Sequence, residues 1–434
     1  MHRVILALWA LLWHLGLPLV VGYLSLRGVK EPLYIKHLNE RFGFGPPVPH
    51  GAIWIHAVSL GETRAAGPLV TALLDRGETI VITNITAAGR AEAQKLFAGP
   101  IADGRVFLRW CPMELPWAIR RFLRHARPKF GMIMEIELWP QLIAQTKRMG
   151  VPLVMAQAQY PDKSFARDQK SWGRLRARSV AMFDMILAKS DRHGDRFRHF
   201  GGGDVRVTGE LRFEQPIPQN HLDAAQALLG QIDPARPRLC LASTAPDEDA
   251  MLIPVVTALR DRAVAAGAPK PFFIYVPRHP KDFAKTAARL AAAGLDMVHR
   301  STALDADLAA HAPLPPECDG MFGDSLGEIY FYYALAQRVF VGDSFNDEGS
   351  HNIIEPLRLM NPVAVGPSIW GIEYPGLEAL AAKVLTKLDT PDDLTSHWAA
   401  PMGDDQTAMI TGFLAQHGAA TDRIIECLQN KRLL

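Results

Sequence analysis

Four short segments hold residues whose types and spacing suit group-transfer chemistry, and each follows an apolar run. In Val58-Ser-Leu-Gly-Glu62, Gly61 permits a tight turn and Glu62 falls at the start of a helix. A carboxylate aimed into a cleft there serves as a general base toward a hydroxyl; the plainer reading is a first-turn acid that complements the helix dipole. Glu135-Ile-Glu-Leu-Trp-Pro140 places two acids at alternate positions with no base between them. Glu135 is suited to orient or polarise an attacking group, and Glu137 to cap the helix that Pro140 begins. In Val276-Pro-Arg-His-Pro280 the prolines fix the backbone around Arg278 and His279. A guanidinium held after a strand engages a phosphate in bidentate fashion, or else forms a structural ion pair. In Asp324–Gly366, acidic and Gly-rich turns alternate with apolar runs, and Asn352 and Glu355 stand three apart on a first helical turn. A carboxylate there holds two sugar hydroxyls while free backbone N–H groups take phosphate; a simple capped helix after a strand is the bland alternative.

These residues need a scaffold that gathers strand ends. Short apolar runs at Ala52–Ala57, Thr79–Thr83, Phe130–Met134, Pro152–Ala156 and Met185–Ala188 alternate with helical patterns. After a Pro/Gln-rich break at 216–221 the alternation resumes, with strands near Arg238–Ala242, Phe272–Val276, Arg338–Gly342 and Pro362–Val365. Strands separated by helices predict an α/β protein with two parallel sheets covered on both faces. In such sheets ligands bind outside the carboxyl ends of the strands, and two such domains leave a cleft between them. The predicted division is 1–30, 31–215, 222–406 and a C-terminal helical segment 407–434 free to pack on either domain.

At 434 residues, with 48% hydrophobic and 21% charged residues, the chain is globular and too long for one ordinary core. The net charge of +2 conceals a polarity. Through Gln215 there are 30 basic and 18 acidic residues, net +12; beyond it 17 and 27, net −10. The basic half predicts an anionic partner, a phospholipid surface or a phosphorylated lipid. Nucleic acid is disfavoured, since no helix-turn-helix, RNA-binding aromatic motif or zinc spacing occurs. Val4–Leu26 is uncharged and long enough for a single membrane span. Arg27, Lys30, Lys36 and Arg41 follow it, against Arg3 in front, which places the bulk of the protein on the cytoplasmic side. Two basic, aromatic runs, Trp117–Lys129 (Arg120, Arg121, Arg124, Arg127) and Lys163–Arg178 (Arg167, Lys170, Arg174, Arg176, Arg178 around Trp172), suit lipid headgroups or are merely solvated faces. Cys111, Cys240, Cys318 and Cys427 have no metal-binding spacing and predict reduced thiols.

The strings WIHAVSLGE, EIELWP, TGELRF, ASTAPDED, VPRHP, DSLGE and GSHNIIEP follow one another as they do in bacterial 3-deoxy-D-manno-octulosonic acid (Kdo) transferases, which nearly the whole chain resembles. The resemblance implies a GT-B glycosyltransferase: two Rossmann-like domains facing an interdomain cleft, with an N-terminal anchor in the bacterial inner membrane. The first domain would bind the acceptor, a lipid A precursor of lipopolysaccharide assembly, and the second the donor, CMP-Kdo. It further implies Glu62 as proton acceptor in an inverting transfer, Glu135 as transition-state stabiliser and Arg212, where a lysine is usual, as a cation near the reacting centre. Pro277 and Arg278, then Leu326, Gly327 and Glu328, then Asn352, Ile353, Ile354 and Glu355 match the CMP-binding segments. No metal and no other cofactor is implied. The chain departs from the pattern at Gln157-Ala-Gln-Tyr-Pro161 (usually Asn-Ala-Arg-Leu-Ser), Glu210 (usually Asn), Asp343 (usually Gly) and Thr86-Ala-Ala-Gly89 (usually Thr-x-Thr-Gly). These departures leave open a divergent GT-B enzyme with another lipid or glycan acceptor.

Overall fold

A computed structural model describes residues 2–170, 176–399 and 404–434. Trp172 and Arg174 of the second basic run lie outside the described residues. The chain divides into two compact units, one holding the residues through Gln215 together with His417–Leu434, the other Pro216–Gln416.

The first unit contains β1 (Ile53–His56), β2 (Ile80–Asn84), β3 (Val106–Trp110), β4 (Gly131–Met134), β5 (Leu153–Ala158), β6 (Met185–Ala188) and β7 (Val205–Val207). They form one sheet in the order β3-β2-β1-β4-β5-β6-β7, every pairing parallel. Ile53, Ile55, Met132 and Val154 are buried in its core, as expected for strands covered on both faces. The second unit contains β8 (Arg238–Thr244), β9 (Phe272–Pro277), β10 (Met297–His299), β11 (Gly320–Phe322), β12 (Arg338–Val341), β13 (Val363–Val365) and β14 (Leu385–Lys387). Their order is β10-β11-β9-β8-β12-β13-β14, again all parallel. In each sheet the order reverses beside the first strand of the unit: between β1 and β4, and between β8 and β12. A crevice at the carboxyl ends is expected at each reversal.

All nine sequence-predicted strands are present. The five missed, β3, β7, β10, β11 and β14, are mostly three residues long, too short to show a period. β3 was hidden by Arg109.

Helix α1 (His2–Lys30) turns Leu8, Leu12, Leu15, Leu19 and Leu26 outward, each more than half exposed. Its other side is held to the first unit. Leu24 is buried, and Trp13, Leu17 and Val20 pack on the cluster of Tyr34, Trp110 and Ala118. Trp9 Nε1 donates to Glu114 at 2.8 Å, and Gln141 Nε2 donates to the Leu6 carbonyl at 2.6 Å. Five further helices bear on the sites: α2 (Leu60–Asp75), α3 (Ala87–Leu96), α4 (Pro116–Ala126), α5 (Pro140–Arg148) and α6 (Pro246–Ala265). α4 is strongly amphipathic, burying Ile119, Phe122 and Leu123, with Arg124 exposed and Arg120 and Arg121 half-buried against Gln145 and Phe42. The C-terminal stretch is split: α7 (Asp404–His417) runs with the second unit almost to its end, and α8 (Ala420–Asn430) returns to the first. There Ala420, Ile424, Ile425 and Leu428 join the core that contains Ile53 and Leu211. Glu214 fixes the start of α8 by accepting from the Ala420 and Thr421 amides.

Ile424 is fully buried. Ile424→Ala is therefore expected to lower the unfolding free energy by about 2–5 kcal/mol, measured by denaturant titration, although α8 lies more than two hundred residues beyond Leu211, the preceding member of that core.

Candidate active site

Ser59 ends the turn after β1 in extended backbone and caps α2, its Oγ accepting from the Glu62 amide at 3.4 Å. Glu62 answers from the third helical position: Oε2 accepts from the Val58 amide at 2.8 Å and Oε1 from the Ser59 hydroxyl at 3.0 Å. This is a variant of the capping box, in which Glu62 takes the amide one residue before the cap and the cap's hydroxyl in place of the cap's own amide; its Ser-x-x-Glu signature stood unread in the sequence. Both readings of Glu62 thus meet in one residue. Glu62 is 7% exposed. Burial, and after it the charge of Glu135, pushes its pKa from the ordinary 4.5 up to about 7, against the opposing hydrogen bonds.

Glu135 follows β4, the neighbour of β1, and adopts a left-handed backbone, φ 57°. For a residue with a Cβ this costs about 1–2 kcal/mol, and such backbone marks sites where a side chain must be aimed. Its Oε1 accepts from Arg212 Nη2 at 3.0 Å and Lys189 Nζ at 3.4 Å, and its Oε2 from Gln159 Nε2 at 3.2 Å. The first unit therefore brings Glu62, Glu135 and Arg212 to one strand-end crevice. Lys189 was overlooked, although it directly follows the apolar strand β6, the placement that singled out Arg278 after β9. Glu137 does not cap α5. It accepts from Trp139 Nε1 at 2.6 Å, and the cap is Glu114, whose carboxylate receives the Gln141 and Leu142 amides at 2.9 and 2.7 Å. A cap so distant in the chain leaves no local signature.

In the second unit the predicted CMP-binding residues follow β9, β11 and β12, at the carboxyl ends of these strands. Pro277 ends β9, and the Arg278 amide donates to the Thr244 carbonyl at 2.9 Å, leaving the guanidinium exposed. Leu326, Gly327 and Glu328 follow β11. Leu326 is exposed, Gly327 has φ 85°, and Glu328 is engaged by Arg300 and Ser325. Asn352 stands before, not on, the short helix Ile354–Arg358, and its Oδ1 accepts from the Ile354 amide at 3.0 Å. Ile353 and Ile354 are buried, so they present backbone rather than side chain. Glu355 and Arg278 both act electrostatically on the buried Tyr333 hydroxyl, one raising and the other lowering its proton affinity. Asp343 has φ 57°, the conformation in which glycine is at ease. Its carboxylate binds His351 Nε2 at 2.9 Å and Asn346 Nδ2 at 2.6 Å. Beneath it Glu248 is fully buried and accepts from the amides of Ala245, Asp343, Ser344 and Phe345. Gly342 permits this approach, since a Cβ there would stand 2.8 Å from Glu248 Oε2. A cleft of about 770 Å³ opens beside these loops, lined by His279, Lys281 and several acids including Asp343, but by none of the predicted donor-side residues.

Residues 36–215 match a family model described as 3-deoxy-D-manno-octulosonic-acid transferase (kdotransferase). A 3-deoxy-D-manno-octulosonic acid transferase of Bordetella pertussis is 38% identical, with 90% of each chain covered. The chain belongs to the Kdo transferase family. Kdo transferases are glycosyltransferases, and a second one, of Haemophilus influenzae, is 32% identical over 80% of this chain and 79% of its own. Among solved structures, a putative UDP-N-acetylglucosamine 2-epimerase of Listeria monocytogenes aligns with a TM-score of 0.58 at 12% identity, covering 88% of this chain and 97% of that one. A glycosyltransferase of Rickettsia africae gives 0.57 at 10%, with 88% and 99% covered. These likenesses establish the GT-B-type fold of two Rossmann-like units.

A carboxyl whose folded-state pKa is raised favours the native state while protonated. The Glu62 contribution is present below about pH 4.5 and is lost as the pH rises through about 7. The unfolding free energy of the wild type, less that of Glu62→Gln, is expected to fall by about 3 kcal/mol across that window, as read by denaturant titrations at several pH values.

Proposed function

We propose that the chain transfers Kdo from CMP-Kdo to a sugar hydroxyl of a lipid A precursor, with inversion and with Glu62 as the general base. The observation that carries this reading is the buried Glu62 carboxyl, oriented by two donors and given a proton affinity near neutrality. At that affinity it is a working base at cellular pH. The acceptor O–H proton passes to the Glu62 carboxylate. The oxygen lone pair forms the bond to the anomeric carbon of Kdo from the face opposite the phosphate. The bond from that carbon to the phosphate oxygen breaks, and CMP leaves with the electron pair. Glu135 and Arg212, paired at 3.0 Å, stand where charge develops at the acceptor side. Arg278 and nearby backbone amides steady the leaving phosphate, the charge neutralisation that a divalent cation supplies in other enzymes, and Glu355 holds the ribose. Asn352, Leu326, Gly327 and Glu328 shape the loops around the nucleotide.

The outward leucines of α1 and the arginines of α4 serve an anionic membrane surface. Docking of α1 on the first unit brings anchor and basic face to the same leaflet, on the cytoplasmic side of a bacterial inner membrane. Of the departures from the family pattern, Gln159 donates to Glu135, Glu210 shares Lys189 and Arg212 with it, and Gln157 brackets Glu210. They favour the second reading, a different lipid or glycan acceptor.

Glu62→Gln is expected to keep its fold and its affinity for CMP while losing about 10²–10⁴-fold in transfer rate; near-normal turnover would refute the assigned base. Mass spectrometry of the product formed from CMP-Kdo and a lipid A precursor is expected to show the mass of added Kdo. Transfer to another glycan alone would favour the second reading, and turnover with a UDP-sugar alone would exclude the first.

A further inference from the structure

Lys189 is buried to 1% exposure, and so is its partner Glu210, with Nζ and Oε2 2.8 Å apart. Neither residue is needed to hold the sheet together, because the backbone around both is already fixed. The Lys189 amide donates to the Ala158 carbonyl at 3.0 Å. The Gln157 side chain brackets Glu210 from both sides, donating to the Gly209 carbonyl at 3.1 Å and accepting from the Leu211 amide at 2.9 Å. Lys189 Nζ also reaches Glu135 Oε1 at 3.4 Å and Gln159 Oε1 at 3.1 Å, while Arg212 reaches Glu135 at 3.0 Å and Glu210 at 4.0 Å. Lys189, Glu210, Arg212 and Glu135 thus form a closed square of alternating charge, with no net charge, one corner of which is the carboxylate that acts on Glu62.

We propose that Lys189 and Glu210 are positioning residues for the transfer reaction, closing a charge square that fixes both the place of Glu135 and the field it exerts on Glu62. This rests on the reading of Glu62 as the base. Burying an ion pair carries a desolvation cost that apolar residues of similar size avoid, so such a pair is poorly explained by stability. Here both carboxylates of the square need a cation, and Lys189 lies between them. Without it, Glu210 would draw Arg212 away from Glu135. Other charged groups near α2 are engaged elsewhere. On α3, Arg90 pairs with Glu40 and Glu92 with Arg64. In the segment Leu211–Glu214, Glu214 accepts from Ala420 and Thr421; on α8, Arg423 donates to Thr208 and Gly418. Glu137, the other acid that raises Glu62, is held by Trp139.

The test is the acid limb of kcat/KM against pH, which reports the free enzyme's base. Lys189→Met leaves the surroundings of Glu62 more negative and is expected to move the limb up by about half to one pH unit, whereas Glu210→Gln is expected to move it down by a similar amount. The double variant, neutral at both corners, is expected to bring the limb back toward wild type. A purely structural pair would lower the rate without these opposed displacements. Lys189→Met leaves a buried acid unpaired; should it not fold, Glu210→Gln and the double variant decide. If those two fold and Glu210→Gln leaves the limb in place, or the double variant keeps the full Glu210→Gln displacement, the proposal is overturned. Glu62→Gln separates the two layers. Loss of the limb in that variant with no response to the charge variants defeats only the charge square, whereas an unchanged limb in Glu62→Gln defeats the base assignment and this inference with it.

Discussion

The Glu62 carboxylate is caught between opposed influences. Its capping box supplies the Val58 amide and the Ser59 hydroxyl, donors that favour the charged form. Burial and the charge of Glu135 oppose them and prevail. The same atoms therefore close the first turn of α2, aim the carboxylate and set its affinity for a proton. Strand order supplies the rest. Because β1 lies beside β4, the residue after β4 is brought next to the helix that follows β1, and a left-handed backbone at Glu135 aims its carboxylate at Arg212.

The second unit repeats this device with a different outcome. Glu248 occupies the third position of α6 after β8, as Glu62 does in α2 after β1, and Asp343 follows the neighbouring strand with the same φ as Glu135. Glu248, however, is saturated by four backbone amides and has no exposed surface. Glu62 receives one amide and one hydroxyl and keeps a small exposure, so its lone pairs are not all committed. One framework thus yields a loop clamp in one unit and a candidate base in the other. The difference lies in how many amides converge on the carboxylate, not in the residue type.

This contrast explains what the sequence disclosed. Long apolar runs such as Phe272–Val276 announced parallel strands, and acids or cations in the segments that follow them drew attention to Glu62, Glu135 and Arg278 by position. Lys189 obeys the same rule but seemed ordinary without its partner Glu210, which lies on another element. The Glu114 cap of α5 reaches across 27 residues, and the return of α8 to the first unit across more than two hundred; no local pattern encodes either. Asp343 stood out as a departure from glycine; its φ of 57° supplies the physical reason a glycine is usual there.

The position of α8 bears on the order in which the molecule is made. A ribosome releases the second unit's residues, through Gln416, before Ile424, Ile425 and Leu428 emerge. The earlier-synthesised unit is consequently the later one to complete its interior, reversing the usual amino-to-carboxyl sequence of domain folding. Until α8 joins it, the core that holds Ile53 and Leu211 lacks the apolar packing of Ala420, Ile424, Ile425 and Leu428.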